Sequence, residues 1–149
     1  MSYSLIMHEL QKRAIEVIER TYDLAWEKLR IKLPYPKVTF DLTGTIAGVA
    51  YPTLNKIRLN NRFLFNNTEA FLRRTTIHES AHCFAYQRYG DSIRPHGDEF
   101  KSIMMVYDAP TSACHNYLDN SVGRKPLTFQ TSEGIVTYQG GIRSLEIKL

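Results

Sequence analysis

The sequence predicts one α+β domain followed by a β-rich tail. Three observations carry this reading: a long amphipathic stripe opens the chain, short alternating segments follow it, and a second helical run holds an unusual spacing of polar residues. At 149 residues the chain is the size of one domain and can bury a core without disulfide staples. A hydrophobic share of 43% and a charged share of 23% exclude a disordered or fibrous chain.

The first element is a helix over about Leu5 to Leu33. Ile6, Leu10, Ala14, Ile18, Tyr22, Ala25 and Leu29 recur every three or four residues, while Lys12, Arg13, Glu16, Glu19, Glu27 and Lys28 lie opposite. Pro34 and Pro36 are the predicted stop. Val38, Phe40 and Leu42 then alternate with polar residues as a strand does. Ala47, Val49 and Tyr51 suggest a second strand, and Ile57 and Leu59 a third, with Gly44 and Gly48 marking a turn or bulge. Three strands this short predict a small antiparallel sheet.

A long helix follows, capped by Asn67 or Thr68, running through Phe71, Ile77, Ala81 and Phe84 towards Arg88, and ending at Gly90. Pro95 and Gly97 mark a loop, and Phe100, Ile103, Met104 and Val106 a further helix ending before Pro110. The division expected is 1–116 for the main domain and 117–149 for a tail. Ile135, Thr137 and the alternation Leu145, Ile147, Leu149 give that tail hairpin character.

The chemistry sits in Thr76-Ile77-His78-Glu79-Ser80-Ala81-His82. Histidines four apart on a helix project from one face, with Cβ atoms about 5–6 Å apart, so both imidazoles reach one Zn²⁺. Glu79 stands beside the first ligand, where it takes a proton from zinc-bound water without binding the metal. With five His and nine Glu in 149 residues, chance supplies roughly 0.01 such patterns. A third protein ligand leaves the fourth position open to water. His96, in the loop before the next helix, is the leading candidate, and Asp98 and Glu99 are the alternatives. His8 and His115 have no comparable context. Cys83 adjoins His82 but reads as a small buried residue.

His78-Glu79-Ser80-Ala81-His82 followed by His96-Gly97-Asp98-Glu99-Phe100-Lys101 resembles the SprT-like metalloprotease family, which includes the Spartan-type proteases. Gly48, Ala50, Ile57, Leu59 and Asn60 resemble that family's glycine-containing turn and the strand after it. The likeness spans about Val38 to Val106, and the leading helix suits the family's N-terminal helix. It implies a zincin-like fold and a zinc-dependent endopeptidase with His78, His82 and His96 as ligands and Glu79 as general base. It also implies association with DNA and cleavage of proteins crosslinked to it. Many members carry a C-terminal zinc ribbon with two cysteine pairs. Here Cys114 is the one cysteine after the motif, so the tail reads as a metal-free, ribbon-like hairpin, with Tyr138-Gln139-Gly140-Gly141 where a cysteine-containing turn would stand.

An extended peptide substrate is expected along the strand Asn55 to Asn60, as an added strand. A net charge of +4 permits an anionic partner. Lys56, Arg58, Arg62, Arg73, Arg74, Arg88, Arg94, Lys101, Arg124 and Lys125, interleaved with Phe63, Phe65, Tyr86, Tyr89 and Tyr107, suit single-stranded DNA. No apolar run reaches the ~20 residues of a membrane span, and the N-terminus lacks the pattern of a secretory signal. Two cysteines point to a reducing cytoplasm. Two rival readings are a catalytically silent DNA- or protein-binding module and a zinc hydrolase of a non-peptide substrate. An intact Glu79 speaks against the first, since binding alone needs no general base.

Overall fold

A computed structural model describes residues 2–107, 109, 127–131, 134–138 and 145–148. The architecture is α+β, as expected. Helix α1, Tyr3–Leu29, is capped by Ser2, whose hydroxyl accepts from the Leu5 N–H, and its buried stripe is the one the periodicity marks from Ile6 to Ala25. The helix ends four residues short of the predicted Leu33. Arg30 adopts a left-handed conformation (φ 57°) and its N–H closes on the Trp26 carbonyl. Ending there lets Ile31 and Leu33 turn back onto the core, which the prolines alone did not reveal.

The sheet comprises β1 (Lys37–Thr39), β2 (Gly48–Tyr51) and β3 (Lys56–Leu59), in the order β1-β3-β2. It is mixed, which corrects the antiparallel expectation: β2 pairs antiparallel with β3, but β1 runs parallel to it, Val38 opposite Ile57. Side-chain alternation encodes which face is buried and says nothing of strand direction. The first strand is also shorter than its alternation suggested. Beyond Thr39, Asp41 collects hydrogen bonds from the Thr39 hydroxyl and the Arg58 guanidinium, and the chain leaves the ladder.

After β3 comes a helix that periodicity missed, α2, Asn61–Asn66. Six residues with Phe63, Leu64, Phe65 and Asn66 all buried show no amphipathic stripe to detect. Asn60 caps it, and this buried side chain ties three segments together. Its carbonyl accepts from the Arg62 N–H at 3.1 Å, and its amide donates to the Gly44 and Ile46 carbonyls at 3.1 and 3.0 Å. Asn60→Ala therefore removes a cap and leaves the Ile46 carbonyl without its donor, while the Gly44 carbonyl keeps the Arg62 guanidinium. Urea unfolding should show a loss of about 2–4 kcal/mol; an unchanged midpoint would mean that water replaces the amide without cost.

The predicted long helix is a continuous path in three parts. The turn α3, Thr68–Ala70, leads into a π-helical turn, Phe71–Thr75, and then α4, Thr76–Tyr89. In the π turn the Thr76 N–H reaches the Phe71 carbonyl five residues back. Gly90 ends α4 at φ 81°, as expected. Helix α5, Asp98–Val106, packs on α4.

Two buried clusters hold these elements. One joins the first half of α1 to the sheet, α2, Phe71 and Cys83. The other joins Tyr22 and Ala25 of α1 to Ala81, Phe84 and Ala85 of α4 and Phe100, Ile103 and Met104 of α5. Helix α4 thus lies between both cores, which fixes its rotation. Residues 127–148 contain an antiparallel sheet of β4 (Leu127–Thr131), β5 (Gly134–Tyr138) and β6 (Leu145–Lys148), ordered β4-β5-β6. Cys114 and the turn at Gln139 to Gly141 lie outside the described residues. Among the described residues no helix is long and apolar enough to cross a membrane.

Candidate metal centre

With Ala81, Phe84 and Ala85 buried against α1 and α5, α4 turns His78 and His82 towards the surface, half-buried. The turn from Arg94 to Gly97, closed by the Gly97 N–H on the Arg94 carbonyl, returns His96 across them from an exposed position. The three Nε2 atoms form a near-equilateral triangle: 3.1 Å for His82–His78, 3.1 Å for His82–His96 and 3.2 Å for His96–His78. Nitrogens about 2.0–2.1 Å from a tetrahedral ion lie about 3.3 Å from one another, so the donor set fits a zinc-sized dication. The three histidines named from the sequence lie together here. Asp98 and Glu99, the alternatives to His96, are not in the cluster of potential metal-holding groups found among the described residues.

Phe100 is the wall behind the triangle. Its ring stacks on His82 with centroids 4.5 Å apart and meets His78 and His96 at 4.9 and 5.1 Å. The Nδ1 of His78 is buried without a hydrogen-bond partner, so packing on Phe100 holds this ring rather than a polar brace. In the sequence Phe100 was an apolar residue of α5 and part of the family-like motif; its packing on all three rings follows from the loop that puts His96 on the same side.

Electrostatics favour lone pairs at the centre. Burial, with a contribution from neighbouring imidazoles, holds His78 down to about 4 and His82 down to about 3, so both are neutral at pH 7. Glu79 is 7% exposed, and burial raises its carboxyl to about 8. Its stem lies against β2: a Cβ on Gly48 would stand 3.2 Å from Glu79 Cγ and 2.9 Å from Thr75 Cγ2.

Other expected contributors divide. Cys83 is buried, its thiol directed to the Lys56 carbonyl and pushed up to about 12 by burial, in keeping with a packing role. His8 is exposed and outside the cluster; His115 lies outside the described residues. The stacking surface is smaller than expected, because Phe63, Phe65 and Tyr107 are core residues. Arg58 is engaged by Asp41, and Arg62 by the Gly44 carbonyl. Arg73, Arg88, Arg94 and Lys101 are exposed, as is Tyr89, over which the Arg88 guanidinium sits at 5.3 Å. Arg124 and Lys125 lie outside the described residues. The strand Asn55 to Asn60 offers no edge to a substrate, since β1 and β2 flank β3 on both sides. The edge strand beside Glu79 is β2.

The family model described as SprT-like family matches residues 7–118. Protein SprT of Pseudomonas putida (strain GB-1) is 44% identical over 112 residues, which cover 74% of this chain and 66% of that protein. Protein SprT of Pseudomonas entomophila (strain L48) is 41% identical over the same shares, and that of Vibrio parahaemolyticus 38% identical over 136 residues, 91% of this chain and 81% of that protein. The chain thus spans a little under two thirds of the length of the Pseudomonas relatives. No solved structure matches. With most of its α+β core inside the matched region and the three histidines on the matched helices and loop, the chain belongs to the SprT-like family.

Proposed function

We propose that this chain is a zinc-dependent endopeptidase that hydrolyses peptide bonds in proteins bound or crosslinked to DNA. The observation that carries the reading is the Nε2 triangle with a buried carboxyl one residue along the same helix. His78, His82 and His96 hold the ion. When bound, it supplies Lewis acidity, polarising a carbonyl and making water a nucleophile near neutral pH. Glu79 removes the proton of the attacking water and returns it to the leaving amine. Its apolar surroundings keep bulk water from competing for that proton. The peptide lies extended along β2, where the backbone of Gly48 sits against Glu79, so an added strand brings its carbonyl to the centre. Exposed Arg73, Arg88, Arg94 and Lys101 support an anionic partner, and the low cysteine count supports a cytoplasmic setting.

Elemental analysis tests the ligand set. The purified chain should hold about one Zn²⁺, and His96→Ala should fall well below that under the same dialysis, whereas Glu99→Ala should not. If Glu99→Ala loses the metal and His96→Ala keeps it, the third ligand is wrong. Absence of tight metal even after zinc reconstitution would sink the whole reading.

A further inference from the structure

Away from the three histidines, the end of α1 and the segment 32–35 line a cavity of about 410 Å³. Its floor is Tyr22, buried against Phe84 of α4, with its hydroxyl accepting from Gln87 of the same helix at 2.9 Å. Its walls are Trp26 and Tyr35, which remain 44% and 48% exposed. Tyr22 and Tyr35 meet edge to face at 6.0 Å, and the Tyr35 hydroxyl donates to Asp23 Oδ1 at 2.6 Å, so the aromatic walls are held in place. Two cations stand at the rim: the Arg30 guanidinium lies 5.3 Å from the Trp26 ring, and Lys32 lines the cavity.

Each part selects against some occupants. Exposed flat rings favour a ligand with a flat π face. Aromatic walls beside a carboxylate also suit an organic cation, but Arg30 and Lys32 at the rim repel a further positive charge. A purely apolar ligand would strip water from Asp23 and leave it no donor besides the Tyr35 hydroxyl. An unpaired nucleobase meets all three demands. Its face stacks, its amino group donates to Asp23, and the adjoining phosphates meet Arg30 and Lys32.

We propose that this cavity binds one unpaired base of a single-stranded nucleic acid, stacked on Trp26. The inference rests on the nucleic-acid part of the function given above and is independent of its hydrolytic part.

Trp26 is the chain's one tryptophan, so intrinsic fluorescence reads the cavity directly. The full chain is titrated with oligo(dC), and with an abasic oligonucleotide of equal length and charge. Oligo(dC) should quench the emission saturably, less tightly as salt rises, and the abasic strand should not. By fluorescence anisotropy of labelled oligo(dC), Trp26→Ala should weaken binding between about fivefold and a hundredfold. Lys32→Ala, at an exposed side chain, should weaken it while leaving thermal unfolding unchanged. Oligo(dC) that binds by anisotropy without changing the Trp26 emission overturns the cavity and keeps the nucleic-acid partner. No binding at low salt overturns both. Quenching by a trimethyllysine peptide in place of oligo(dC) overturns the assignment of the ligand.

Discussion

Glu79→Gln should retain about one zinc per chain and lose peptide hydrolysis by about 10²–10⁴-fold, the usual contribution of a positioned acid–base group. The substitution keeps size and hydrogen-bonding capacity, so the surroundings of residue 79 need not repack. What disappears is proton acceptance. The nitrogen triangle is made of imidazoles alone and does not involve this side chain. His78→Ala should instead lose metal and activity together, because only two of the three clustered imidazole nitrogens remain. Zinc content and cleavage of an unfolded protein substrate, with single-stranded DNA present, separate the two outcomes. Glu79→Gln cleaving at the wild-type rate would falsify the proton-transfer role and leave the zinc a structural one. The variant also has a stability signature. Burial raises the folded carboxyl from 4.5 to about 8, so in the metal-free chain its contribution is full below pH 4.5 and is lost as pH rises towards 8. Glutamine does not titrate, so the metal-free variant should lack that loss.

The histidine site was legible because a helix converts sequence spacing directly into geometry. Positions 78 and 82 share a face in any α-helix. His96 was legible only as a candidate, since a loop carries no such conversion; the turn at Arg94 to Gly97 and the packing of Phe100 bring its ring beside the other two. The sheet was half legible. Which residues of β3 face the core followed from alternation, as Ile57 and Leu59 are fully buried. The order β1-β3-β2 did not, because pairing partners and direction depend on where the connection 40–47 carries the chain. That gap is why a substrate strand was expected along β3, which β1 and β2 leave without a free edge. The π turn at Phe71–Thr75 was invisible for a related reason. One extra residue in a turn shifts every later side chain around the axis, yet leaves the local composition helical.

Gly48→Ala should reduce kcat/KM by about 10²-fold while zinc content stays near one per chain. At this position glycine is needed for close approach. An added methyl would lie 2.9 Å from Thr75 Cγ2, 3.1 Å from Leu59 Cδ2 and 3.2 Å from Glu79 Cγ, all nearer than carbon atoms rest. Thr75 is fixed in the π turn and Leu59 is fully buried in the sheet, so neither yields freely. The Glu79 stem moves instead, and a displacement near 1 Å at a reacting group costs about two orders of magnitude. The three histidines make no such contact with Gly48, which is why metal binding should survive. A simple loss of stability would lower activity too, so rescue is the deciding measurement. Thr75→Ser removes the methyl that is crowded most and keeps the hydroxyl. The double variant Gly48→Ala/Thr75→Ser should therefore recover much of the lost rate, with Thr75→Ser alone close to wild type. If the double variant stays as slow as Gly48→Ala at equal unfolding midpoints, crowding at Thr75 is not what displaces Glu79, and β2 influences the reaction by another route.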